Sequence, residues 1–190
     1  GGVQFFTNGL DTRTEGVDIT GDWTIPAGQS GKFDVTLGVN YTQNKITRVD
    51  PLPTVLQGTG EAGILDVVTR VGIEQERPDW RGTLTTQYST GRFRSLARGS
   101  YYGGFRSAQP GFCDGCARWY GDKALFDAEI GYQFSGANLA IGMNNIFDTY
   151  PDRMLMGYNN NGGTFPWAAA SPFGYNGRYV YTRAEIPLGY

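Results

Sequence analysis

Histidine is absent from the 190 residues, cysteine occurs twice, and charged residues make up only 18%. Without an imidazole no histidine-based catalytic triad can be built, and Cys113 and Cys116 lack the further nitrogen or sulfur ligands that a zinc site needs. No cofactor and no enzymatic chemistry are expected. No apolar run approaches the roughly 20 residues of a membrane helix, so any passage through a bilayer would have to be made by strands closed into a barrel. Lys and Arg number 16 against 18 Asp and Glu, and they are scattered along the chain, which argues against nucleic acid as a partner. Neither a basic start nor an apolar segment follows Gly1-Gly2, as expected of a mature form or a fragment.

What is abundant is glycine, with 29 residues, and aromatics at 14%, with tyrosine the most frequent of them. These suit a β-protein, and a two-residue period confirms the reading along most of the chain. The last stretch, Gly177 to Tyr190, carries Val180, Thr182, Ala184, Ile186, Leu188 and Tyr190 in one file and Tyr181, Arg183 and Glu185 in the other. Thr14 to Ile25 alternates Val17, Ile19, Trp23 and Ile25 with Asp18, Thr20, Asp22 and Thr24. After the punctuation of Pro26 to Gly31, Phe33, Val35, Leu37, Val39 and Tyr41 oppose Asp34, Thr36, Asn40 and Thr42. Further strands are predicted at Trp80 to Thr90, Arg92 to Arg106, Asp122 to Phe134 and Asn138 to Phe147, and Val3 to Thr7 reads as the end of another. In the strand from Arg92, three arginines, Arg92, Arg94 and Arg98, share one face. They cannot face lipid, where each costs about 2–4 kcal/mol at the midplane, and should face a wet interior together with Asp127 and Glu129.

The connections alternate in length. Gly28, Gly91 and Gly136 mark short turns, whereas Val49 to Asp79, Ser107 to Gly121 and Asp148 to Asn176 are long. Within the first insertion Ile64, Val67, Val68 and Val71 recur at helical spacing, predicting a short helix stopped before Pro78. Antiparallel sandwiches need no such alternation of loop lengths, but outer-membrane barrels have short periplasmic turns and long extracellular loops. The expected fold is therefore all-β: an antiparallel transmembrane β-barrel segment of about eight meandering strands. A soluble lectin-like β-domain and a self-contained eight-stranded barrel of structural or adhesive role are the alternatives.

Three stretches in order carry a resemblance: Phe6-Thr7-Asn8-Gly9 running into Thr14-Glu15-Gly16-Val17-Asp18-Ile19; Asn144-Asn145-Ile146-Phe147-Asp148 with Tyr150-Pro151; and Asn176-Gly177-Arg178-Tyr179-Val180-Tyr181 with a terminal aromatic. The sequence resembles the C-terminal part of the barrel of TonB-dependent outer-membrane receptors. The resemblance implies a 22-stranded barrel of which residues 1–190 form the last part, with the plug domain and TonB box not in this chain. It further implies uptake of a scarce nutrient, such as a ferric siderophore, across the outer membrane of a Gram-negative cell. Its partners would be outer-membrane lipid, the rest of the barrel, the plug, the TonB system and the barrel-assembly machinery, for which Tyr190 would end the recognised strand.

Two constellations remain. Cys113-Asp114-Gly115-Cys116 falls in a loop placed outside the cell, where thiols oxidise, so a small disulfide ring is expected ahead of a redox pair, which would need a βαβ context. The last long loop gathers Tyr158, Asn160, Trp167 and Tyr175, aromatics and an amide suited to a siderophore or a sugar, or equally to packing within the loop.

Overall fold

A computed structural model describes residues 9–51, 54, 65–108, 117–154 and 165–186. Strands β1 (Leu10–Ala27) and β2 (Gly31–Val49) form a long hairpin; α1 (Val67–Glu74) follows, then β3 (Trp80–Thr90), β4 (Phe93–Tyr102), β5 (Phe105–Ala108), β6 (Ala117–Tyr120), β7 (Lys123–Gln133), β8 (Asn138–Asn144) and β9 (Tyr179–Glu185). Seven of these make one antiparallel sheet in the order β1-β2-β3-β4-β7-β8-β9, and β5 pairs with β6 apart from it. The predicted stretch Val3 to Thr7 lies outside the described residues.

Each short turn has a local cause. Gly28 and Gly91 sit at φ 72° and 52°, left-handed backbone that glycine adopts at no steric cost. Phe134 N–H closes the third turn on the Ala137 carbonyl at 2.8 Å. The predicted helix forms one residue after Asp66, whose carboxylate accepts the Thr69 N–H at 2.7 Å and caps it; the hydrogen bonds donated by the Thr69 side chain and N–H push the Asp66 carboxyl below its usual range. Of its apolar positions Val71 is buried while Val67 is exposed.

The sheet has no covering layer on its apolar side among the described residues. Ile19 is 57% exposed, Trp23 51%, Leu84 48%, Ile130 53% and Ile141 50%, values that a soluble sandwich, whose inner faces interdigitate, would not leave standing. The opposite face curls around a hollow that touches Lys32 on β2, Arg94 on β4, Glu129 on β7 and Arg183 on β9, so the polar side is the concave one. Apolar outside and polar inside is the arrangement of a membrane barrel wall. Aromatic rows bound the apolar side at two levels. Toward the short turns, Phe33 stands opposite Tyr88 with rings 4.8 Å apart, and Phe93 opposite Tyr132. Toward the long connections, Tyr41 pairs with Trp80 at 4.7 Å, and Phe126 meets Phe147 edge-on at 5.3 Å. From Phe33 to Tyr41 is about nine residues, the short end of what crosses a bilayer on a tilted strand.

Three expectations are corrected. The strand predicted from Arg92 to Arg106 stops at Tyr102, and the connection Ser107 to Gly121 is not a plain loop, because Gly103-Gly104 breaks the ladder and the chain re-pairs as the β5–β6 hairpin. The strand predicted to reach Phe147 ends at Asn144, because Asn145 and Asp148 take positive φ, 50° and 57°. Asn and Asp tolerate that backbone better than other side chains do, so the strand turns there.

Candidate functional site

On the concave face long charged side chains pair across strands β4, β7, β8 and β9. Arg98 stands opposite Asp127 and places its Nε and Nη2 at 2.9 and 2.7 Å from Oδ2. The other oxygen of Asp127 accepts the Asn145 N–H at 2.8 Å, fixing the left-handed turn that ends β8. Glu129 receives the Tyr181 hydroxyl at 2.8 Å and Arg183 Nη2 at 2.7 Å, and Arg183 also reaches Glu185 at 2.9 Å. Tyr181 attains Glu129 by lying across Gly142, where a Cβ would run into its ring, so only glycine leaves the path open. Arg94, on the same face, has no hydrogen bond or ion pair among the described residues. The hollow these groups line, with the polar side chains of β2 and β3, measures about 920 Å³.

Above the sheet, on the side of the long connections, a second assembly forms. Phe105 and Tyr120 stack at 5.0 Å, Ala168 is fully buried against them, and Met154 and Ala170 pack on the outside. Burial pushes the Tyr120 phenol up. Trp167 is held between Tyr150 and Tyr175, stacked at 5.5 and 5.7 Å, with Phe165 edge-on to both Trp167 and Tyr175. The Tyr175 hydroxyl donates to the Ala168 carbonyl at 2.9 Å, and burial raises its pKa. Burial opposes the charge of Asp152, but the Lys123 ammonium and the Gly121 N–H outweigh it and hold its carboxyl below the usual range, tying this loop to the top of β7. The helix joins the same assembly: Glu74 accepts the Ile46 N–H at 2.9 Å, and Gln75 O accepts from Arg106 at 2.9 Å. The two buried side-chain donors left unpartnered among the described residues, Trp167 Nε1 and Arg118 Nη1, both belong to these external segments.

Of the residues singled out from sequence, Trp167 and Tyr175 are brought together, each flanked by other rings. Tyr158, Asn160, Cys113, Cys116 and Tyr190 lie outside the described residues. Arg94 and Arg98 share the concave face as expected, whereas Arg92 stands in the turn before β4. Sequence reasoning missed Tyr150 as a partner of Trp167 and Asp152 as the anchor of the loop. Tyr150-Pro151-Asp152 carries no periodicity, and the only signal was that Tyr150-Pro151 belonged to one of the stretches behind the resemblance.

No curated protein and no solved structure matches the chain. The family described as TonB dependent receptor-like, beta-barrel, does match, over residues 1–146 of 190. With an open antiparallel sheet that is apolar on its convex side and charged on its concave one, the chain belongs to the TonB-dependent receptor β-barrel family, receptors of the outer-membrane type that work with a plug and a TonB system.

Proposed function

We propose that residues 1–190 are the C-terminal portion of the barrel of an outer-membrane receptor that imports a scarce nutrient, a ferric siderophore or similar solute, with energy supplied through TonB. Family membership supports a receptor instead of an enzyme. The observation that carries the rest is the sidedness of the sheet: exposed Ile19, Leu84, Ile130 and Ile141 require lipid, while Arg98, Asp127, Glu129 and Arg183 require a wet, occupied interior. The assembly around Trp167 and Tyr175 supports a role for these two in presenting a recognition surface, to which Tyr158 and Asn160 of the same connection are assigned from the sequence alone. Stacked rings cost little further entropy to hold a ligand, and Trp167 Nε1 is a donor in need of an acceptor. The test is growth of a strain lacking the intact gene on defined iron, cobalamin and glycan sources. Growth should fail on one source and return with the gene; undiminished growth on every source overturns an import role.

Two further assignments belong to this reading. Cys113 and Cys116 form a disulfide in the exported protein, so mass measurement after thiol labelling without reductant should find neither free; two labelled thiols would refute it. Tyr190 contributes to the strand read by the barrel-assembly machinery. Replacing it with Asp should lower the heat-modifiable, folded fraction in outer membranes, and unchanged assembly would exclude that role.

A further inference from the structure

We infer that the chain carries a binding site apart from the Trp167 loop, on the inner wall beneath the C-terminal end of α1, for a polyhydroxylated solute whose units bear one carboxylate each, of the hexuronate kind. The site rests on the receptor reading above and names the chemistry of what such a receptor would take in. Its basis is a polar hollow of about 340 Å³ lined by charged groups that the described residues leave without partners.

Strand register sets one side of the hollow. Asn40 on β2 stands directly opposite Arg81 on β3, next to the Tyr41–Trp80 pair, so the site lies at the end of the sheet that carries the long connections, where a solute from outside arrives first. Thr14, opposite Asn44, donates its hydroxyl to Asn44 Oδ1 at 2.7 Å and leaves the Asn44 amide donors free. The other side is Ile73 and Glu74 of α1 with Arg77-Pro78-Asp79 of the connection that follows. Two bonds pin that segment to β2: Glu74 accepts the Ile46 N–H at 2.9 Å, and the Asp79 carbonyl accepts the Thr42 N–H at 2.9 Å. The groups it presents are therefore in place before a ligand arrives, which lowers the entropy lost on binding. Arg77 and Arg81 are exposed and make no hydrogen bond or ion pair among the described residues. The Asp79 carboxylate makes none either, and burial pushes its carboxyl up. Two guanidinium forks without partners suit a carboxylate or a phosphate. Glu74 and Asp79 line the same hollow, offset the two guanidiniums and repel a doubly charged phosphate, which favours the singly charged carboxylate. The Asp79 carboxylate and the Asn44 amide then call for hydroxyls, one accepting and the other donating. A ring with several hydroxyls and one carboxylate meets both demands, and the hollow, at the low end of the roughly 300–1,000 Å³ usual for small-molecule sites, has room for such a unit.

The experiment is titration calorimetry on the full-length receptor with its plug, purified into lipid nanodiscs. The probes are the disaccharides of galacturonate and of glucuronate, their methyl esters, which keep the hydroxyls and lose the charge, and trehalose 6-phosphate, which offers a phosphate instead. At least one acid should bind at least about tenfold more tightly than its ester and than the phosphate, the scale of one charge-assisted contact. Arg77→Gln and Arg81→Gln should each weaken that acid at least about tenfold, whereas Arg13→Gln, which removes an exposed guanidinium paired with Glu15 on β1, should leave its affinity unchanged. Binding of neither acid, equal affinity for acid and ester, tighter binding of the phosphate, or an affinity indifferent to both Arg77→Gln and Arg81→Gln overturns the site. Should those two variants lower the thermal midpoint of the receptor with the affinity for the acid intact, the guanidiniums serve the plug and not a solute. A receptor that binds neither acid yet supports growth on one of the defined sources loses this site and keeps its import role. Arginine-dependent binding in a receptor whose deletion spares growth on every source keeps the site and overturns the import role. Heat-modifiability checks that each variant has folded; Arg77→Gln, in the connection outside the strands, carries the test with the same outcomes if Arg81→Gln does not fold.

Discussion

Asp127 shows why one residue can matter beyond its charge. One oxygen meets Arg98, whose side chain is 46% exposed, and the other accepts the Asn145 N–H in a turn where Asn145 bonds Thr149 twice, at 2.8 Å each way. Asp148 in the same turn accepts the Arg178 N–H at 2.8 Å and so ties the start of β9 to the end of β8. The Asn144 to Asp148 stretch was legible only as a resemblance; its physical content is a left-handed turn held by side chains that accept backbone protons. Asp127→Ala should therefore destabilise the full-length receptor by about 2 kcal/mol, the scale of hydrogen bonds made to a charged group. Arg98→Ala, removing a half-exposed partner, should cost under about 1 kcal/mol. Denaturant midpoints of both variants in detergent check the asymmetry. Equal losses would mean that the ion pair, and not the turn, is what Asp127 serves.

At the scale of elements, legibility followed burial on one side only. Where a strand has lipid on one face and water on the other, its alternation is strong, and β3 was found at Trp80 to Thr90 as predicted. Where both faces are wet the alternation is weak, so the ends of β1 from Leu10 and of β2 to Val49, beyond the Tyr41 row, were not anticipated. Four-residue strands such as β5 and β6 are too short for any period to show. The sidedness itself gives a sharp prediction. Ile130 is 53% exposed on the apolar face, two residues above the Tyr132 row, whereas Gln133 belongs to the opposite file. Ile130→Arg in the full-length receptor should cost about 2 kcal/mol, the low end of the midplane range because the site is near an interface, and should reduce the folded fraction. Gln133→Arg should leave assembly at the parent level. Equal tolerance of the two, read by heat-modifiability of outer-membrane fractions, would sink the lipid-facing assignment.

For the molecule as a whole, the decisive feature is that the sheet has two open edges among the described residues, the outer side of β1 along Leu10–Ala27 and the outer side of β9 along Tyr179–Glu185. The order of the meander was readable from sequence because every strand follows its neighbour. Which loops would pack together was not, since the contact between Phe105, Tyr120 and Ala168 spans segments with no shared pattern. In hydrocarbon an unpaired edge leaves N–H and C=O groups that neither water nor lipid can satisfy, at several kcal/mol each. The 190-residue chain produced alone and refolded in detergent should consequently associate through these edges, giving polydisperse oligomers on size exclusion and no heat-modifiable band. Joined to the preceding strands of the receptor it should fold as a monomeric barrel. A monodisperse monomer from the isolated chain, with the amides of β1 and β9 both protected from hydrogen exchange, would mean that the two edges pair with each other. That outcome would revive the self-contained small barrel and displace the receptor segment as the unit that folds.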